Sequence, residues 1–268
     1  MTTRDVLAAA RLPRHEAERL LMKVTGRSRS EVIIGVPLDD DTAIAYSVLC
    51  RRRLTGEPIQ YIEGVIPFAL CEIAVDNRAL IPRPETEYLW ELASTLPDEP
   101  PALIVDLCTG SGALAIGLAS VYPDAEVVAS DISEAALSLA RDNALANGTV
   151  VRFFAGDLFE ALPEELVGCV DLLVTNPPYV SDSEMAELPS EVADWEPSLA
   201  LAAGVDGLEV VRRLLVGLPD WLSKTGWFFI EVGSAHATEA LALVPHGLQA
   251  HVRRDLTGRD RYLVGRRS

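Results

Sequence analysis

From about residue 103 onward the chain repeats one pattern: a short apolar run, a turn, then in most cases an alanine- and leucine-rich stretch. The runs are 103–107, 126–130, 151–155, 170–175 and 227–232. Their length and their content of Val, Ile, Leu and Phe predict strands, and most intervening stretches have the length and composition of helices. Strands of this apolar kind, alternating with helices, predict an α/β domain built on a parallel sheet with helices on both faces. In such sheets ligands bind beyond the C-terminal ends of the strands, near the switch in strand order. The residues that carry function are therefore expected where these runs end.

The first sixty residues have a different rhythm. Pro13 is placed to open a helix whose apolar positions Ala17, Leu20, Leu21 and Val24 follow helical spacing, and Gly26 is placed to close it. Ser28-Arg29-Ser30-Glu31 is a capping-box pattern before Val32, Ile33 and Ile34. A third helix is expected from about Asp41, carrying Ile44, Tyr46, Val48 and Leu49 and stopping at Gly56. Residues 57 to 88 then change character, because Pro58, Pro67, Pro82 and Pro84 interrupt short apolar stretches such as Cys71 to Val75. A further helix is expected over Tyr88 to Leu96. The domain division that follows is 1–65, a helical unit suited to docking a substrate; 66–88, an extended hairpin-like linker; and 89–268, the α/β domain.

Charge narrows the partners. The net charge is −17, and residues 101 to 200 hold only Arg141 and Arg152 against seventeen Asp and Glu. A duplex-binding face needs clustered Lys and Arg to neutralise phosphates, so a nucleic-acid partner is not expected. No apolar run approaches the ~18 residues that span a bilayer, and the N-terminal stretch has no uninterrupted apolar core of a signal peptide, so no membrane association and a cytoplasmic location are expected. Cys50, Cys71, Cys108 and Cys169 form no C-x-x-C pair, and His15, His236, His246 and His251 have no ligand spacing. Neither a disulfide framework nor a metal site is expected.

Four strand ends carry candidate residues. After the first run, Cys108-Thr109-Gly110-Ser111-Gly112 joins strand to helix. The glycines let backbone approach a ligand without a Cβ clash, and the helix start supplies unpaired amide donors. Asp131, about twenty residues beyond the glycines, is placed to accept hydrogen bonds from ribose hydroxyls. After the third run, Asp157 is placed for an adenine amino group and Leu158 for its flat face. The turn also satisfies the loose dinucleotide fingerprint through Gly110, Gly112 and Ala115, so it alone leaves an NAD-dependent dehydrogenase open.

The fourth run ends in Asn176-Pro177-Pro178-Tyr179. The prolines must stop the strand. The side-chain carbonyl of Asn176 and the backbone carbonyl of Pro177 then offer two adjacent acceptors, which suit an NH2 group on a flat conjugated carbon. Such a nitrogen is a poor nucleophile because its lone pair is delocalised. Accepting both of its hydrogens favours a pyramidal nitrogen with the lone pair free, which is stabilisation by pre-placed dipoles. Tyr179 is expected to cover the flat face. No hydride transfer requires this tetrapeptide, and together with the two acids it favours S-adenosyl-L-methionine as cofactor.

On these residues the chain resembles the HemK/PrmC family of protein-(glutamine-N5) methyltransferases. The resemblance extends over Gly56 to Ile62, Ile81-Pro82-Arg83-Pro84-Glu85-Thr86-Glu87, the glycine loop, Asn176 to Tyr179, Glu196-Pro197, Asp206-Gly207-Leu208, Asp255-Leu256 and Gly258 to Arg261. Asn-Pro-Pro-Tyr is shared by several amino-methyltransferases, whereas Arg83 to Glu87 is more specific. The resemblance implies a Rossmann-like, seven-stranded class I S-adenosylmethionine-dependent methyltransferase domain after a small helical domain. It also implies that the substrate is the Gly-Gly-Gln glutamine of class 1 peptide chain release factors, with Asn176, Pro177, Pro178 and Tyr179 catalytic. The cofactor would lie on Cys108, Thr109, Gly110, Ser111, Gly112, Asp131, Asp157, Leu158 and Asn176. A ribosomal-protein glutamine, an adenine N6 in nucleic acid, and a non-catalytic S-adenosylmethionine-binding partner of translation are the alternatives. Leu158 stands where the family often has an aromatic residue, Ala202-Ala203-Gly204 replaces a more usual glycine pair, and His236 stands where Gln is common. The stretch 181–204 is expected to lie over the site.

Overall fold

The structure, a computed structural model, describes residues 1–267, which form two compact units: Met1–Ile66 with Pro189–Trp195, and Pro67–Leu188 with the residues from Glu196 on.

The first unit is helical. Its elements are α1 (Thr3–Ala9), α2 (Arg14–Thr25), α3 (Arg29–Ile34), α4 (Asp40–Leu54) and α5 (Ile59–Glu63). Capping explains most of their ends. Thr2 with Asp5 and Ser28 with Glu31 form complete capping boxes, and the Asp39 carboxylate accepts the Thr42 amide. Gly26 closes α2 in the left-handed region at φ 64°, which glycine adopts without strain. The core gathers Leu20, Leu21, Val32, Tyr46, Ile59 and Ile62. Two helices depart from expectation. The seven residues of α1 are too few to show a period, and α5 follows Pro58, where proline content pointed to extended chain. Ile59, Tyr61 and Ile62 are buried there, so packing overrides that local signal. On α4 only Tyr46 is buried, and Ile44 remains 62% exposed. Residues 189–195 return to this unit, where Arg53 binds both Glu16 and Glu191.

The chain leaves the first unit through β1 (Val65–Phe68), which pairs with β2 (Cys71–Ala74) in a two-stranded sheet. Then α6 (Pro84–Thr95) starts four residues earlier than expected, with Pro84 in its first turn. Proline lacks an amide that this turn would leave unpaired anyway, so it opens this helix where we expected the linker to continue.

The second unit continues with β3 (Leu103–Leu107), α7 (Ala113–Val121), β4 (Glu126–Asp131), α8 (Glu134–Ala146), β5 (Arg152–Ala155) and β6 (Val170–Thr175). After the short helices α9 (Asp182–Met185) and α10 (Ser190–Ala193), the latter within the first unit, come α11 (Glu209–Trp221), β7 (Leu222–Glu231), α12 (Ala237–Ala242), β8 (Leu248–Arg254) and β9 (Asp260–Arg267). Seven strands form one sheet in the order β5-β4-β3-β6-β7-β9-β8. The strands from β5 to β7 are parallel, whereas β9 runs antiparallel to both of its neighbours. The sheet is thus mixed rather than parallel, because the short β8–β9 connection permits only an antiparallel pair. Strand order reverses between β3 and β6, and this puts the crevice at their C-terminal ends. Leu107, Val128, Leu173, Leu214, Phe228 and Ile230 belong to the core that fixes these ends in place.

Candidate active site

The β3–α7 turn is held from below. Cys108, Gly110 and Gly112 all have positive φ, at 57°, 57° and 85°. A Cβ on Gly112 would press on Ile116 and Ala140, whereas one on Gly110 would meet nothing within 4 Å. Gly112 therefore serves helix packing, and Gly110 leaves open space above the loop. Asp106, fully buried, accepts hydrogen bonds from the Thr109 hydroxyl (2.6 Å) and the Ala115 amide (3.1 Å). Burial pushes its carboxyl up to about 7, against those two hydrogen bonds. Asp131, at the end of β4, accepts the Gly110 amide (2.8 Å) and the Ser133 amide (2.9 Å), and burial raises its pKa as well. It braces the glycine loop in addition to facing the crevice.

At the end of β5 the backbone turns through Gly156 (φ 151°) and Leu158 (φ 49°). Leu158 is buried, and the Asp157 carboxylate binds the Arg213 guanidinium at 2.7 Å. Arg213 was not anticipated, since an arginine on an amphipathic helix such as α11 reads as a solvated side chain.

The end of β6 has the most ordered polar network. The Asn176 side-chain NH2 donates to the Thr86 hydroxyl (3.0 Å), and Thr86 donates to one oxygen of Glu231 (2.9 Å). The Tyr179 hydroxyl donates to the other oxygen (3.2 Å). Glu231 is 1% exposed, and burial pushes its carboxyl up to about 7. Arg261 lies 5.8 Å from the Tyr179 ring, over its face, and its charge favours the ionised Glu231. Burial also raises the Tyr179 phenol.

A cavity of about 230 Å³ joins these strand ends. Cys108, Thr109, Gly110, Ser111, Asp131, Asp157, Leu158, Asn176 and Pro178 all line it. Gly112, Pro177 and Tyr179 are not part of the lining. Gly112 is turned toward Ala140, and the Tyr179 hydroxyl donates to Glu231, which anchors the far end of that side chain. The stretch 181–204 does contribute a wall, through Pro197, Leu199, Ala200 and Ala202. That wall is tied down by Glu196, whose buried carboxylate accepts the Ile81 amide (3.1 Å) and pairs with Arg83. Sequence reasoning missed Glu231 and Arg213 as parts of the site. It identified Arg83 to Glu87 as a motif without assigning Arg83 and Thr86 the contacts they make. Among the described residues no group of His, Cys, Asp and Glu is placed to hold a metal ion, and no helix is long and apolar enough to cross a membrane.

Comparison with known proteins decides the family. Residues 2–64 match the PrmC N-terminal domain and residues 91–191 the methyltransferase small domain. The release factor glutamine methyltransferase of Deinococcus radiodurans is 38% identical, over 100% of this chain and 99% of that one. The chain belongs to the release factor glutamine methyltransferase family. The member from Bordetella pertussis is 41% identical over 98% of both chains, and that from Mycolicibacterium smegmatis is 40% identical over 97% of this chain and 94% of its own. Solved structures share the fold. A ribosomal protein L11 methylase from Lactobacillus delbrueckii subsp. bulgaricus superposes with a TM-score of 0.50 at 22% identity, covering 69% of this chain and 79% of that one. A methyltransferase from Pyrococcus furiosus gives 0.52 at 18%, covering 74% and 88%. The family's two domain models fall on the helical unit and on the sheet that carries the glycine loop and Asn176.

Proposed function

We propose that this chain transfers a methyl group from S-adenosylmethionine to the N5 amide nitrogen of the glutamine in the Gly-Gly-Gln motif of class 1 peptide chain release factors, in the cytoplasm. The observation that carries the reading is the orientation of Asn176. Its NH2 is committed to Thr86, so its side-chain oxygen is the atom left to accept a hydrogen from an amide bound at the end of β6.

The cavity fits an adenosyl group attached to an amino acid. Cys108 to Ser111 would lie along it, with Gly110 leaving room for close approach; Asp131 would take the ribose hydroxyls with its remaining lone pairs; and Leu158 would pack on the base. Asp157 would share its carboxylate between Arg213 and the base. When bound, S-adenosylmethionine supplies an electrophilic methyl group, and its sulfur takes the electron pair of the broken bond. The protein's part is to hold the acceptor amide. Asn176 and the Pro177 carbonyl accept its two hydrogens and favour a free lone pair on nitrogen, and Pro178 and Pro197 line the cavity. No side chain is required as a base, because the proton leaves to solvent once the nitrogen has been alkylated.

Asn176→Ala is expected to lower turnover about 10²–10³-fold, by analogy with loss of one oxyanion-hole donor. Mass spectrometry of purified release factor incubated with enzyme and S-adenosylmethionine checks the whole reading: one methyl on the Gly-Gly-Gln glutamine is expected. An unmodified peptide at saturating cofactor overturns it.

A further inference from the structure

We infer that Thr86 and Glu231 are positioning residues that dictate which end of the Asn176 amide faces the substrate. The inference rests on the proposed glutamine methylation and adds to it the reason that Asn176 presents oxygen rather than nitrogen.

An asparagine amide has two ends of nearly equal shape and opposite hydrogen-bonding character, so packing alone does not choose between them. Here a directional chain does. In its ionised form, which the Arg261 charge favours against burial, Glu231 only accepts. Glu231 takes the Tyr179 hydroxyl on one oxygen and the Thr86 hydroxyl on the other. With its single proton spent on Glu231, Thr86 meets Asn176 as an acceptor and must receive an N–H, and this is the 3.0 Å contact from the Asn176 nitrogen. The Asn176 oxygen is then turned away from Thr86. Thr86 is 5% exposed and Glu231 1%, so water does not compete for these bonds. Each bond also polarises the next, which makes the Asn176 oxygen a stronger acceptor. The arrangement draws its members from three separate elements: α6 supplies Thr86, the chain after β6 supplies Asn176 and Tyr179, and β7 supplies Glu231. A threonine needed only for packing would not require its hydroxyl.

Five variants test the inference, with Asn176→Ala as their reference, assayed on the full chain with intact release factor as substrate. Thr86→Val keeps the shape and removes the hydroxyl, and is expected to lower kcat about tenfold, the loss of roughly one hydrogen bond to a charged group. Thr86→Ser keeps the hydroxyl and should stay within about threefold of wild type. The double variant Thr86→Val with Asn176→Ala should be no slower than Asn176→Ala alone, since Thr86 acts through Asn176. Glu231→Gln replaces an acceptor by a group that also donates. It should be slower than wild type but add nothing in the Asn176→Ala background, and it carries the test if Thr86→Val does not fold. Equal losses for Val and Ser, or losses that multiply in the double variants, overturn the positioning role while leaving the methylation reading intact. A wild-type enzyme that methylates no glutamine overturns that reading instead.

Discussion

Two buried carboxylates beneath the cavity, Asp106 and Glu231, are both pushed up to about 7 by burial. Asp106 is the simpler case for stability because it lies below the glycine loop and does not line the cavity. Its ordinary value is 3.8, so between about pH 4 and pH 7 the folded chain holds a proton that the unfolded chain has released. Stability therefore falls as pH rises through this window and is restored as pH drops back through it. Each pKa unit corresponds to 1.36 kcal/mol, so the effect amounts to a few kcal/mol. Asp106→Asn keeps an acceptor for Thr109 and Ala115 and cannot ionise. Urea unfolding of both proteins at pH 5 and pH 8 should show the wild type losing stability relative to the variant at the higher pH. A stability difference that does not change with pH would falsify the assignment. The bonds from Thr109 and Ala115 and the charge of Asp131 set how large the effect is, the first two opposing it and the third adding to it.

At the scale of elements, β9 shows how much depends on a single missing side chain. It lies between β7 and β8, with Gly265 opposite Phe228 on one side and Ala250 on the other. A Cβ at Gly265 would overlap the Phe228 ring and the Gln249 carbonyl oxygen. Gly265→Ala should therefore cost about 1–3 kcal/mol through overpacking, read as a lower urea midpoint with secondary structure retained. An unchanged midpoint would show that the sheet gives way at no cost. This hairpin was also the least legible part of the fold. The strands β3, β4 and β6 stand out as apolar runs because both of their faces are covered, whereas β8 and β9 interleave Arg253, Arg254, Arg261 and Arg266 with apolar residues and end the sheet at an edge. The first half of β7 was hidden for the same reason, since Ser223, Lys224 and Thr225 interrupt its pattern. The site divides similarly. Loops at strand ends have local signatures, and the glycine turn, Asp131 and Asn176, which line the cavity, stand out by them. Glu231 closes the strand Phe228-Phe229-Ile230-Glu231, and nothing local marks it as the partner of Thr86, 145 residues away. Only the packing of α6 against β7 puts those two side chains together.

At the scale of the whole molecule, each of the two compact units has its own apolar core: one drawn from residues 6 to 62, the other spread along the chain from Leu103 to Leu263. Every residue lining the cavity at the strand ends belongs to the second unit. A ligand that binds there stabilises what it binds and nothing else, by RT ln(1 + [L]/Kd), or about 2.7 kcal/mol at a hundredfold excess over Kd. For a unit of this size each kcal/mol moves the melting point by about 2–4 °C, so saturation with S-adenosylhomocysteine should raise one transition by roughly 5–10 °C. Scanning calorimetry of the full chain with and without that ligand is the measurement. Two transitions are expected, the larger in enthalpy shifting and the smaller staying in place, because enthalpy scales with the number of residues that unfold. A single transition that shifts as a whole would mean that the units unfold as one. Two transitions that both ignore S-adenosylhomocysteine, but of which one responds to NAD, would return the glycine turn to the dinucleotide reading that its Gly110, Gly112 and Ala115 spacing leaves open on its own.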